Sequence, residues 1–155
     1  MLAKRWQPRL LAHAWRLLGG DREAARDAAQ EAWAEIVAGF DRLREVRAFP
    51  AWAYRIVTRR CARHVGQAMR QRQLDAAVDV EAELEPDPGA GADGDRLRRA
   101  IRALPEEQRA AIALFHFEEL SIAEVAIALD VPAGTVKTRL MHARRKLRAV
   151  LGGDE

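Results

Sequence analysis

The chain has 155 residues, enough for one ordinary domain or two small ones, and its 49% hydrophobic and 32% charged content suits a globular protein with a solvated surface. A formal charge of +3 is modest, so where the charges fall says more than their total. A single cysteine, Cys61, excludes an intramolecular disulfide, no apolar run is long enough to cross a bilayer, and no signal-peptide stretch is seen, so the expectation is a cytoplasmic protein without membrane insertion.

Residues 5–20 predict a first helix after Pro8, with Leu10, Leu11, Ala14, Trp15 and Leu18 on one face and Gly19-Gly20 ending it. Asp21 is placed to cap a second helix from Arg22 to about Phe40. Its apolar face comprises Ala25, Ala28, Ala29, Ala32, Trp33, Ile36 and Val37, with Asp27, Gln30, Glu31 and Glu35 on the others. A third helix is predicted from Phe49-Pro50 to about Gln71. Phe49, Trp52, Ala53, Ile56 and Val57 face its core, and Arg55, Arg59, Arg60 and Arg63 make it basic. No acid stands between Glu45 and Asp75.

Residues 73–95 change character, with eight acids, no base, two prolines and three glycines. Such a segment buries too little apolar surface to offset the entropy of ordering, and it predicts a flexible linker. Its charges serve either as a plain tether or as a shield for the flanking basic faces. Beyond it come a short basic helix at 96–104 and a helix from Pro105 to about Phe117, with Ala110, Ala111, Leu114, Phe115 and Phe117 toward a core. Ser121 and Glu124 then form a capping box ahead of Ile122, Val125, Ala126 and Leu129. Pro132 starts a last helix in which Val136, Leu140, Ala143 and Leu147 make an apolar stripe. Its other faces carry Lys137, Arg139, His142, Arg144, Arg145, Lys146 and Arg148, with no acid before Asp154. Two short helices with a tight turn and a basic second helix describe a helix-turn-helix, a motif that places its second helix in the DNA major groove. The expected fold is all-α: a three-helix bundle at 1–72, an acidic flexible linker at 73–95 and a four-helix domain at 96–155.

The segment LPEEQRAAIALFHFEELSIAEVAIALDVPAGTVKTRLMHARRKLR, opening at Leu104, resembles region 4, the promoter-binding domain of the extracytoplasmic-function class of bacterial sigma factors. Asp27-Ala28-Ala29-Gln30-Glu31-Ala32-Trp33 resembles the part of region 2 that docks on RNA polymerase. Phe49-Pro50-Ala51-Trp52-Ala53-Tyr54-Arg55-Ile56 resembles the start of the helix that opens and reads the −10 element. Positions 59 and 63, commonly Asn and Asp in that class, are both Arg here.

The resemblance implies core RNA polymerase, promoter DNA and an anti-sigma factor as partners. It implies polymerase contacts from Asp27, Gln30, Glu31 and Trp33. Stacking on unpaired −10 bases falls to Trp52 and Tyr54, with Tyr54 the better placed, and phosphate contacts fall to Arg55, Arg59, Arg60 and Arg63. In the last helix Thr135, Lys137, Thr138, Arg139 and Met141 are the candidate base readers of the −35 element by position, with Arg139 suited to guanine and with packing an equal role for Thr138 and Met141, while Arg109, Arg144 and Arg145 are phosphate clamps. Cys61 and His64 are spaced like half a zinc site, but the other histidines lie in other elements, and no metal, cofactor or catalytic constellation is expected. A second function fits the helix-turn-helix alone: a regulator that binds duplex DNA and never engages polymerase.

Overall fold

The computed structural model describes residues 2–74 and 92–152, which form seven α-helices and no β-strand. The chain divides into two compact units, Met1–Glu85 and Pro86–Glu155. The linker expected at 73–95 is corrected at both ends, where residues 73–74 close one helix and 92–95 open the next; its remainder, 75–91, lies outside the described residues.

In the first unit α1 spans Leu2–Leu17, α2 Arg22–Gly39 and α3 Phe49–Leu74, with single 3₁₀ turns at Phe40–Arg42 and Val46–Ala48 between the last two. α1 begins ahead of Pro8 and contains it. As the seventh residue of the helix, Pro8 forfeits the backbone bond to the Lys4 carbonyl, a local cost that the helix bears. Gly19 and Gly20, at φ 69° and 89°, make the left-handed reversal that ends the segment. Asp21 then caps α2, its side chain accepting from the backbone N–H of Ala24 at 3.1 Å. α2 buries Ala25, Ala28, Ala29, Ala32 and Ile36. Val37, expected on this face, is 72% exposed. One step on from Ile36 rotates a side chain by about 100°, and the narrow alanine stripe does not reach that far round.

α3 packs against both α1 and α2, so it buries a wide arc: Phe49, Ala51, Ala53, Tyr54, Ile56, Val57 and Cys61. His13 is also wholly buried, its Nε2 3.1 Å from the Thr58 hydroxyl.

In the second unit α4 spans Ala92–Arg102, α5 Glu106–Ile112, α6 Ile122–Leu129 and α7 Ala133–Leu151. α5 runs on through a wider π-helical turn, Ala113–Phe117. The core is closed by Ala110, Ala111, Ile112, Leu114, Val125, Ala128, Val136, Leu140 and Ala143. Phe117, expected in the core, is 38% exposed, because the π turn shifts the side chains after Leu114 off the 3.6-residue phase.

Candidate nucleic-acid and polymerase interfaces

On α2, Asp27 and Gln30 are exposed, and Trp33 is half-buried with its indole Nε1 enclosed and without a hydrogen-bond partner. Glu31 and Glu35 lie at the seam with α3. The Arg59 guanidinium donates to Glu35 at 2.9 Å, and Arg60 donates to Glu35 at 2.7 and 3.1 Å and approaches Glu31 at 3.9 Å. His64 meets both Glu31 oxygens at 3.2 Å. The basic helix is therefore balanced from across the seam, by acids that its own stretch of sequence lacks. Arg63 is exposed and Arg55 half-buried.

The aromatic residues divide differently from expectation. Tyr54 is fully buried, its ring edge-on to Trp6 at 6.1 Å and to His13 at 5.3 Å. It cannot stack on a base without leaving the core, so the stacking role expected of it is corrected to a packing one. Trp52 is half-buried, edge-on to Phe49 at 6.1 Å. A Cβ at Gly39 would stand 3.0 Å from the Trp52 ring, so the bare backbone of Gly39 lets that ring lie over the end of α2. Of the two candidates, Trp52 is the one that is only partly buried.

In the second unit Ser121 accepts from the Glu124 backbone N–H at 3.1 Å, and Glu124 accepts from the Ser121 N–H at 3.0 Å, completing the capping box at the start of α6. Asp130 ends α6 in the left-handed conformation at φ 55°, a place where Asp is among the residues tolerated. The Val131 N–H reaches back to Ala126 at 3.1 Å, and Pro132 then caps α7 in an extended conformation.

On α7, Lys137, Thr138, Met141, His142 and Arg145 are exposed, whereas Thr135 and Arg139 are half-buried. The Thr138 hydroxyl donates to the Gly134 carbonyl at 3.1 Å. Arg144 lies over the Phe115 ring, 5.5 Å from its centroid, and its Nε and Nη2 both lie 3.3 Å from His116 Nε2. A guanidinium only donates, so that ring nitrogen accepts and the imidazole proton sits on Nδ1. Partial burial, then the nearby Arg144 charge, lowers the His116 pKa, in keeping with a neutral ring. His116 and Phe115 thus hold Arg144 in place.

Arg109, expected to clamp a phosphate, instead donates through Nη2 to the carbonyls of Arg102 at 2.8 Å and Leu104 at 3.1 Å. It is half-buried and pins the α4–α5 corner, satisfying carbonyls that the end of α4 leaves open. Sequence placed Met141 among the residues able to read bases and His116 at the edge of the core; what it did not single out is the pairing of the α2 acids Glu31 and Glu35 with α3, because the two partners stand more than twenty residues apart in the chain.

Residues 2–71 match the family model of sigma-70 region 2, and residues 94–147 match that of sigma-70, region 4. The chain is 31% identical over 150 residues to the ECF RNA polymerase sigma factor SigW of Bacillus subtilis, covering 88% of this chain and 80% of that one. It is 33% identical over 134 residues to the ECF RNA polymerase sigma-E factor of Escherichia coli, covering 78% and 70%. Among solved structures it resembles the sigma factor RpoE in complex with the anti-sigma factor NepR from Bartonella quintana. There the TM-score is 0.83 at 24% identity, covering 99% of this chain and 96% of that one. CnrH in complex with the cytosolic domain of CnrY is similar at a TM-score of 0.68, covering 99% of this chain and 87% of that one.

Proposed function

We propose a division of labour between two helical units on the premise that the chain belongs to the extracytoplasmic-function class of sigma-70 factors, RNA polymerase sigma factors that direct promoter-specific transcription initiation. The unit of α1–α3, residues 1–72, docks on core polymerase and opens the −10 element. The unit of α4–α7, residues 96–155, holds the −35 element, with 73–95 as the tether. Polymerase carries out the bond chemistry, and this chain contributes binding free energy alone, in the cytoplasm.

Asp27 and Gln30 offer acceptors on the open side of α2, with Glu31 at its edge and Trp33 as the aromatic anchor. On α3, Arg55 and Arg63 follow the phosphates of the opened strand, joined by Arg59 and Arg60 where these exchange Glu35 for phosphate, and the half-buried Trp52 is the stacking residue. On α7, Lys137, Thr138 and Arg145 face the groove, Thr135 and Arg139 flank it, and Arg144 clamps a phosphate. An anti-sigma protein is the proposed regulator, supported by the fold shared with a sigma factor solved in complex with one.

One observation carries the DNA-binding half: the exposed side of α7 bears Lys137, Arg145, Lys146 and Arg148 with no acid on the helix. The test is run-off transcription from genomic fragments with purified core polymerase. A promoter-specific transcript that appears only with the added chain is expected. Duplex binding with no transcript from any fragment would point to the stand-alone regulator instead.

A further inference from the structure

Two facts fix the outward line of α7. Val136, Leu140 and Ala143 are buried, and at about 100° per residue the face opposite them passes through Gly134, Thr138, Met141 and Arg145. Each position on that line contributes something different. Gly134 has no side chain, and a Cβ there would meet nothing within 4 Å. Thr138 has committed its hydroxyl to the Gly134 carbonyl, so it has no donor left for a base edge. Arg145 sits two turns farther along, away from the N-terminal half of the helix that contacts bases in helix-turn-helix complexes. Met141 is 48% exposed at the middle of the line. Arg139, which sequence favoured as base reader, is half-buried on the flank.

An unbranched thioether is apolar and conformationally adaptable. Here it stands among Lys137, Arg145 and Arg148, on a helix without a single acid. Charge of one sign all round selects a polyanion as occupant and rejects an apolar protein surface. In the major groove of duplex DNA one base offers an apolar group to such a side chain, the 5-methyl of thymine.

We infer that Met141 is a specificity-determining residue that meets a thymine methyl in the upstream promoter element. The inference rests on the proposal that α7 reads that element from the major groove. Gly134 serves the same contact, because a bare first turn lets the helix come close enough for a side chain three residues past Thr138 to reach the groove floor. The discrimination at that base pair is then one of shape and apolar contact rather than hydrogen bonding. It is correspondingly modest, and a single methyl lost from an apolar contact should weaken binding about three- to fivefold.

The test uses the full chain with core polymerase. Genomic fragments that yield transcripts define the upstream motif, and each thymine in it, on either strand, is replaced singly by deoxyuridine, which deletes only the methyl. Wild-type protein should lose about three- to fivefold affinity at one position and nothing at the others. Met141→Ala should bind the thymine and uracil forms of that position equally, and Met141→Leu should restore the preference. The inference is overturned if every uracil substitution is silent, if Met141→Ala stays as sensitive as wild type, or if the motif contains no thymine. Transcripts that share no upstream motif at all would instead remove the proposal that α7 reads an element there, and the inference with it. Met141 is exposed, so circular dichroism of both variants should match wild type; a loss of helix with an unchanged uracil profile also counts against the inference.

Discussion

Tyr54 and His13 show what single residues decide. Tyr54 fills the space between α1 and α3 against Trp6 and His13, so Tyr54→Ala should cost about 3–5 kcal/mol, the usual penalty for emptying a buried aromatic site. Urea unfolding followed by helical signal would measure it, and a cost below about 1 kcal/mol would place the ring outside the core. His13 sets a pH limit. Burial first, then the Arg16 charge, lowers its pKa from 6.5 to about 3. The unfolded chain takes up a proton below 6.5 that the folded chain refuses until about 3, so acid favours unfolding in that window. Above 6.5 the contribution is complete. Below it, stability should fall by up to about 1.4 kcal/mol per pH unit, a slope that His13→Leu should remove from a urea-midpoint profile. Sequence placed Tyr54 outside because an apolar stripe was expected on one face of α3. A helix held between two others buries a broader arc, and that breadth is a property of the neighbours.

At the scale of elements, the helix starts closed by a side-chain cap were the most legible, because such a cap is a local bargain between neighbouring residues, whereas α1 and α4 begin several residues ahead of where composition placed them. Asp21 and the Ser121–Glu124 box stand where the residue types demanded. Ser121→Ala should therefore destabilise the second unit by about 1 kcal/mol, and Ser121→Asp should recover most of it, both measured as shifts in urea midpoint. Features that need two elements at once were hidden. The α5 segment was recognisably helical, but its π turn, which turns Phe117 outward and brings His116 to Arg144, follows no local rule of composition. The charge of α3 was likewise read along its own length, where no acid occurs. Glu31 and Glu35 reach it from another helix.

Across the whole molecule, the all-α class and the identity of both end segments were legible because each unit repeats one simple scheme, an apolar stripe per helix closed by its neighbours. Charge is distributed by unit as well: Asp27 on α2 and Arg63 on α3 are exposed outside the paired seam, and α7 carries its bases outward with no acid. A modest net charge of +3 conceals this separation. Binding through such a surface is driven largely by counterion release, so affinity for promoter duplex should fall linearly with salt on logarithmic axes. Arg144→Ala should lower that slope by about 0.9, the contribution of one neutralised phosphate, with equal losses on matched and mismatched upstream sequences. A sequence-dependent loss would make Arg144 a base reader.

Gly134 brings these scales together. Among the described residues nothing lies within 4 Å of a Cβ placed there, so the unit itself would accept a side chain, and replacing glycine by alanine in the first turn of a helix gains a part of the roughly 1 kcal/mol that it gains in a helix interior. The cost of such a replacement would fall on whatever surface α7 meets. Gly134 is thus a point where durability and fit pull in opposite directions. It is a natural handle for engineering: enlarging it would yield a sturdier protein that stands farther from its target.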